Sequence, residues 1–142
     1  MNKIILMGRL TRDPEVRYSA GDNATAIARY TLAVDRRFHR EGEPSADFFS
    51  CVTFGKSAEF VERYFRKGIK ITLSGRVEIR KYTNKEGQPV STVEVIVEEQ
   101  EFAESKAASE RSQQADSSPI SASAGDGFMN IPDGIDEDLP FN

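Results

Sequence analysis

The chain has no tryptophan, one cysteine and one histidine in 142 residues. Cys51 therefore has no disulfide partner within the chain, and with His39 it falls short of the four Cys or His ligands of a structural zinc site. A disulfide framework and a zinc fold are excluded within one chain, and Cys51 reads as a small buried residue in a reducing compartment. Long apolar runs are missing too. The longest early run, IILM at residues 4–7, is far too short for a secretion signal or a membrane span, so a cytoplasmic protein without membrane contact is expected. Basic residues are almost absent from the C-terminal third: residues 98–142 carry 2 Lys and Arg against 11 Asp and Glu, whereas residues 1–97 carry 17 against 12. The overall charge of −4 thus hides a basic body and an acidic tail. Such a split suits a surface for a polyanion joined to a segment that repels it or seeks a basic protein; a merely solvated surface with a solubilising tail is the alternative.

What is present suffices for one ordinary domain and a tail, because 38% hydrophobic residues, with nine Phe and four Tyr, can fill one modest core. Within the first hundred residues the apolar period is two, which predicts strands. The first is NKIILMGRL, closed by the Asp13-Pro14 turn. A turn at residues 20–23 precedes the second, where Ala26, Ala28, Tyr30, Leu32 and Val34 share a face, and DFFSCVTFG is the third. SAEFVERYFRKG is the one convincing helix, with Phe60, Val61, Tyr64 and Phe65 at helical spacing, Ser57 placed to cap its start and Gly68 to end it. IKITLSGRVEIRKYT and VSTVEVIVEE complete five strands. Strand, strand, strand, helix, strand, strand is the element order of an all-β OB-fold, a five-stranded Greek-key barrel with a helix between strands three and four; an unclosed five-stranded sandwich is the alternative. From residue 103 the text turns polar and small, which predicts a flexible linker over 103–132 before an acidic tip at 133–142. Phe128, Met129 and Ile131 form a small apolar island in that linker.

Alternation sorts the fourth strand into a core face of Ile69, Ile71, Leu73, Val77 and Ile79 and an outward face of Lys70, Thr72, Arg76, Arg80 and Tyr82. Arginines beside a tyrosine on an exposed strand suit nucleic acid, cation for phosphate and ring for base, and a solvated face is the plainer reading. The third strand has Phe48, Ser50, Val52 and Phe54 on one face and Phe49, Cys51 and Thr53 on the other, too many two-sided rings for one small barrel. Phe38 stands among Arg36, Arg37 and Arg40, a setting better suited to stacking beside phosphates than to a core.

Four segments carry a resemblance. NKIILMGRLTRDPEVRY, FGKSAEFVERYFRKG, SGRVEIRKYT and the acidic ending DEDLPF are together similar to the bacterial single-stranded DNA-binding proteins. The resemblance implies a homotetramer of OB-folds that wraps single-stranded DNA without sequence preference, and a disordered arm whose tip recruits replication, recombination and repair proteins near the nucleoid. By position it implies base stacking on Phe38, Phe48, Phe54 and Tyr82, and backbone contacts from Lys56, Lys67, Arg76, Arg80 and Lys81, with Arg36 and Arg37 beside the Phe38 ring. Alternation places Lys81 opposite Arg80. At the tip, Leu139, Pro140 and Phe141 would enter a partner's pocket while Asp136, Glu137 and Asp138 meet basic residues around it. Two departures stand out: the stacking positions that are often Trp in that family hold only Phe and Tyr here, and Asn142 follows the usually terminal Phe.

Other chemistries find no support. FGKS lacks the glycine that a phosphate-binding loop needs at Ser50, and DGIDEDL lacks the alternating ligands of a calcium loop. No Ser or Cys nucleophile can be matched with a base, so no catalysis, metal or cofactor is expected. Two rival functions remain at this point, an OB-fold protein-interaction adaptor and an RNA-binding OB module, since nothing in the residues selects for or against a 2′-hydroxyl.

Overall fold

A computed structural model describes residues 1–115; the proposed tip from Asp136 to Phe141 and the island at Phe128, Met129 and Ile131 lie outside the described residues. The elements run β1 (Ile4–Leu10), β2 (Glu15–Tyr18), β3 (Ala26–Asp35), β4 (Ala46–Phe54), α1 (Lys56–Tyr64), β5 (Lys70–Thr83), β6 (Pro89–Phe102) and α2 (Lys106–Ala115). Strand order in the sheet is β1-β5-β6-β4-β3-β2, and a further antiparallel pairing of β1 with β3 closes β1, β5, β6, β4 and β3 into a barrel. This is the expected all-β OB architecture. One edge of β3 serves two neighbours, β2 along residues 26–29 and β1 at Leu32 and Ala33. The segment expected as a turn and one long strand is thus a hairpin, because β2 needs an edge that β1 leaves open.

Closure depends on Gly8. A Cβ there would lie 2.2 Å from the Ala33 carbonyl oxygen, so no side chain larger than hydrogen lets β1 reach β3. The core fills with the alternating side chains of β3 (Ala26, Ala28, Tyr30, Leu32), Ile71 and Leu73 of β5, and Val95 and Val97 of β6. Helix α1 packs Ala58, Val61 and the following Phe65 against them. Tyr30 reaches this layer with its hydroxyl donating to Gln100 Oε1 at 2.8 Å, while Gln100 Nε2 donates to the Ser57 carbonyl at 3.0 Å. Burial pushes the Tyr30 phenol above its ordinary value, so this donor stays protonated.

Cys51 is fully buried on β4, and burial pushes its thiol up to about 12. At pH 8 the native thiol is expected to resist a disulfide reagent such as dithiobisnitrobenzoate, and to react at once in denaturant. Rapid release of the chromophore from native protein would contradict this burial.

Four expectations need correction. Ser57 does not cap α1: Gly55 is the N-cap, at φ 64°, and no side-chain hydrogen bond caps that end. Its amide instead donates to the Ala26 carbonyl at 2.8 Å, which ties the helix start to β3. Nor does α1 run to Gly68, because Phe65 leaves the helix in an extended conformation (φ −87°, ψ 134°) that seats its ring in the core. Packing overrides helical spacing there. Ile79 is 64% exposed, and Val77 is only half-buried, because β5 and β6 continue past the barrel as a two-stranded arm whose inward side faces no core. Finally, α1 is not the sole helix. AESKAASERSQQA lacks large apolar residues but is rich in helix formers, and Ser105 accepts bonds from the Ala108 and Ser109 amides at the start of α2.

Candidate nucleic-acid interface

Cross-strand register assembles one continuous outer face. Arg29 of β3 pairs with Val52 of β4, Val52 with Ile96 of β6, and Ile96 with Arg76 of β5. The next row is Thr31, Ser50, Glu94 and Glu78. Paired residues point to the same side of a sheet, and alternation adds Phe48 and Phe54 on β4 and Arg80 and Tyr82 on β5. Phe48, Phe54 and Tyr82 are 69%, 44% and 54% exposed, so three large rings stand on one face of a barrel whose core is already filled. The other ring of the pair at the start of β4, Phe49, packs inward against the core. Alternation separated these rings onto two faces but left open which of the two is core.

Phe38 sits on the loop between β3 and β4, almost fully exposed, with the Arg37 guanidinium carbon 5.8 Å from its ring centroid. That loop leaves the same end of β4 that carries Phe48. Arg36 is held close by: its Nη2 lies 2.7 Å from Asp47 Oδ1, and its hydrogen bonds keep the Asp47 carboxyl below the usual range. Lys56 opens α1 next to Phe54 and lines a groove shared with Glu98, Glu99 and Glu101 of β6. Lys67 lies beyond the far end of α1, where its amide donates to Asp13 Oδ1 at 2.8 Å, so the fold does not bring it beside Phe48 or Tyr82. Lys81 pairs with Ser91 on the reverse side of the arm, as alternation indicates.

The arginines of the face are not bare charges. Arg76 contacts Glu78 at 3.2 Å and Glu98 at 3.7 Å, and Arg80 contacts Glu94 at 2.9 Å. Lys3 and Arg76 hold the Glu98 carboxyl below its ordinary range, the Lys3 hydrogen bond contributing most. A phosphate arriving here exchanges one anion for another, which favours moderate contacts over tight ones. Arg29 and Glu94 belong to this face and escaped the reading of residues. Alternation placed Glu94 opposite Val93 and Val95, but only the β5–β6 and β4–β6 registers reveal that it lies between Ser50 and Glu78. Beneath these side chains Val52 and Ile96 are buried although they lie outside the core cluster, so the face has an apolar floor. Among the described residues no group of three or more His, Cys, Asp or Glu is arranged to hold a metal, and no helix is long and apolar enough to cross a membrane.

A closed five-stranded barrel with a helix between its third and fourth barrel strands is an OB-fold, and its open aromatic and basic sheet face is of the kind that binds nucleic acid strands. Residues 1–103 match the family described as the single-strand binding protein family. The chain belongs to that family. It is 40% identical over 147 aligned residues to single-stranded DNA-binding protein 3 of Clostridium acetobutylicum, covering 99% of this chain and all of the relative. Similarity to the single-stranded DNA-binding protein of Clostridium perfringens is 39% identity, over all of this chain and 90% of the relative. With that of Fusobacterium nucleatum it is 46% identity, over 77% of this chain and 71% of the relative.

Proposed function

We propose that this protein binds single-stranded DNA without sequence preference, covering it during replication, recombination and repair, and that it has no catalytic activity. Bases stack on Phe38, Phe48, Phe54 and Tyr82, and phosphates are met by Arg36, Arg37, Lys56, Arg76 and Arg80, with Lys67 and Lys81 at the margins. The observation that carries this reading is the placement of three exposed rings and the β3 and β5 arginines on one sheet face. A homotetramer is part of the proposal, supported by the exposed Ile5 and Met7 on the outward side of β1 and by the exposed Ile79 and Val93 on the arm, apolar surfaces that further copies would cover. The acidic tip from Asp136 to Phe141 recruits partner proteins of DNA metabolism, an assignment that rests on its charge and its two large apolar side chains.

The test is binding of the purified protein to a labelled oligo-dT strand, to oligo-rU and to a duplex of equal length across a salt series. Tight binding to oligo-dT, little binding to the duplex and weakening by salt are expected, since duplex bases cannot reach the rings. Equal and weak binding to all three would favour the adaptor, and a preference for oligo-rU would favour the RNA module.

A further inference from the structure

Glu94 is the one charged side chain among the described residues that is buried, at 6% exposure, and it lies in the middle of the proposed binding face. Its Oε2 is 2.9 Å from Arg80 Nε, and its Oε1 is 3.7 Å from Arg29 Nη1. Oε2 is nonetheless buried without an aligned hydrogen bond, so the contact with Arg80 is ionic in character. Directly across on β5 stands Glu78, itself held by Arg76. Burying a carboxylate under these conditions is costly, and a neutral residue of the same shape would serve the barrel at least as well. The acids beside the other cations differ: Asp47, Glu78 and Glu98 are all about two-fifths exposed or more and can swing aside for a phosphate. Glu94 cannot, because it is packed into the sheet beneath the arginines it faces.

We propose that Glu94 is a fixed internal counter-anion that limits how much phosphate Arg29 and Arg80 take up, and thereby sets the strength and salt dependence of strand binding. The inference rests on the single-stranded DNA reading above. A polyanion in contact with a free arginine displaces counterions from itself; in contact with an arginine already neutralised from below, it gains less and loses less as salt rises. The aromatic rings then carry a larger share of affinity. A strand held in that way is released and re-engaged more easily at moderate salt.

The experiment compares Glu94→Gln, Arg80→Gln and the double variant with the wild-type protein in oligo-dT titrations between 50 and 200 mM salt. Glu94→Gln is expected to bind more tightly at low salt, with a slope of log affinity against log salt steeper by about 0.7 for each phosphate contact freed. Its advantage over the wild type then shrinks about two- to three-fold across that range. Adding Arg80→Gln is expected to return the slope toward the wild-type value. A purely structural role would lower the thermal midpoint and the affinity together and leave the slope alone, so a folded Glu94→Gln variant with an unchanged or shallower slope overturns the proposal. Should that variant fail to fold, Arg80→Gln alone decides: less than half of one phosphate's slope should be lost, and loss of the full value of about 0.7 would show Arg80 unhindered by Glu94. If the wild type itself ignores oligo-dT, the functional reading fails and the inference with it. Normal wild-type binding with no change in the Glu94→Gln slope sinks the inference alone.

Discussion

Truncating Phe65 to alanine is expected to lower the unfolding free energy by about 3–5 kcal/mol, a large share of the roughly 5–15 kcal/mol that holds a domain of this size. The ring is completely buried and is the meeting point of three others: Tyr30 at 5.8 Å, Phe60 at 5.8 Å and Phe102 at 5.6 Å between centroids, all three edge-on. It therefore joins β3, α1 and the end of β6, and no local shift of one element can fill the space it leaves. The barrel walls are tied by backbone pairing on every side, which resists collapse and keeps the cavity open. Urea unfolding followed by far-ultraviolet circular dichroism should show a lower midpoint with an unchanged slope. A loss below about 1 kcal/mol would mean that the layer between α1 and the barrel is loosely packed, contrary to these contacts.

Phe65 also shows where sequence reading stops. Helical spacing of Phe60, Val61, Tyr64 and Phe65 correctly indicated α1, although of these only Val61 is buried within the helix and Tyr64 is exposed, but the same spacing carried the helix on to Gly68. Spacing is a local signal, whereas the extended backbone at Phe65 is imposed by the space between Tyr30 and Phe102, which are distant in the chain. The strands were legible for the converse reason: alternation is local, and each strand is long enough to show it. What alternation lacked was an end point. It continued the core face of β5 through Val77 to Ile79, although the barrel has closed by then and Ile79 faces Val93 across an arm that nothing described covers. Helix α2 was missed through too much weight on apolar content and too little on the local preference of Ala, Glu, Lys, Arg and Gln.

In the candidate site, parity along β5 was enough to place Arg76, Arg80 and Tyr82 outward, and along β4 it set Phe48 and Phe54 together on one face while leaving open which face is core, since parity survives folding wherever no bulge intervenes. Partners across strands were beyond reach. The irregularity between Ser74 and Gly75 shifts β5 against β6, and this shift decides that Glu94 lies opposite Glu78 and within reach of Arg80. Counting cations in the text therefore overstated how many stand ready for phosphate, because a carboxylate lies within 4 Å of Arg36, Arg76 and Arg80 alike.

Replacing Phe48, Phe54 and Tyr82 together by alanine is expected to weaken oligo-dT binding about 100-fold or more. Each stacked ring contributes about 1–3 kcal/mol, and the smaller rings of Phe and Tyr belong at the lower end, so three together amount to at least about 3 kcal/mol. The rings carry no charge, so the salt slope should stay near the wild-type value while the whole affinity line drops. This separates their loss from the loss of an arginine, which changes the slope. Folding stability should change little, because all three rings are substantially exposed and the core cluster contains none of them. The matching Phe48→Tyr, Phe54→Tyr variant keeps both faces for stacking and should retain most of the affinity. If the triple alanine variant, folded and with its thermal midpoint intact, bound oligo-dT within a few-fold of the wild type, the strand would not lie on this face. The exposed rings of β4 and β5 would then need another partner to explain them, and a protein surface that covers apolar rings beside charged rims would be the first to seek.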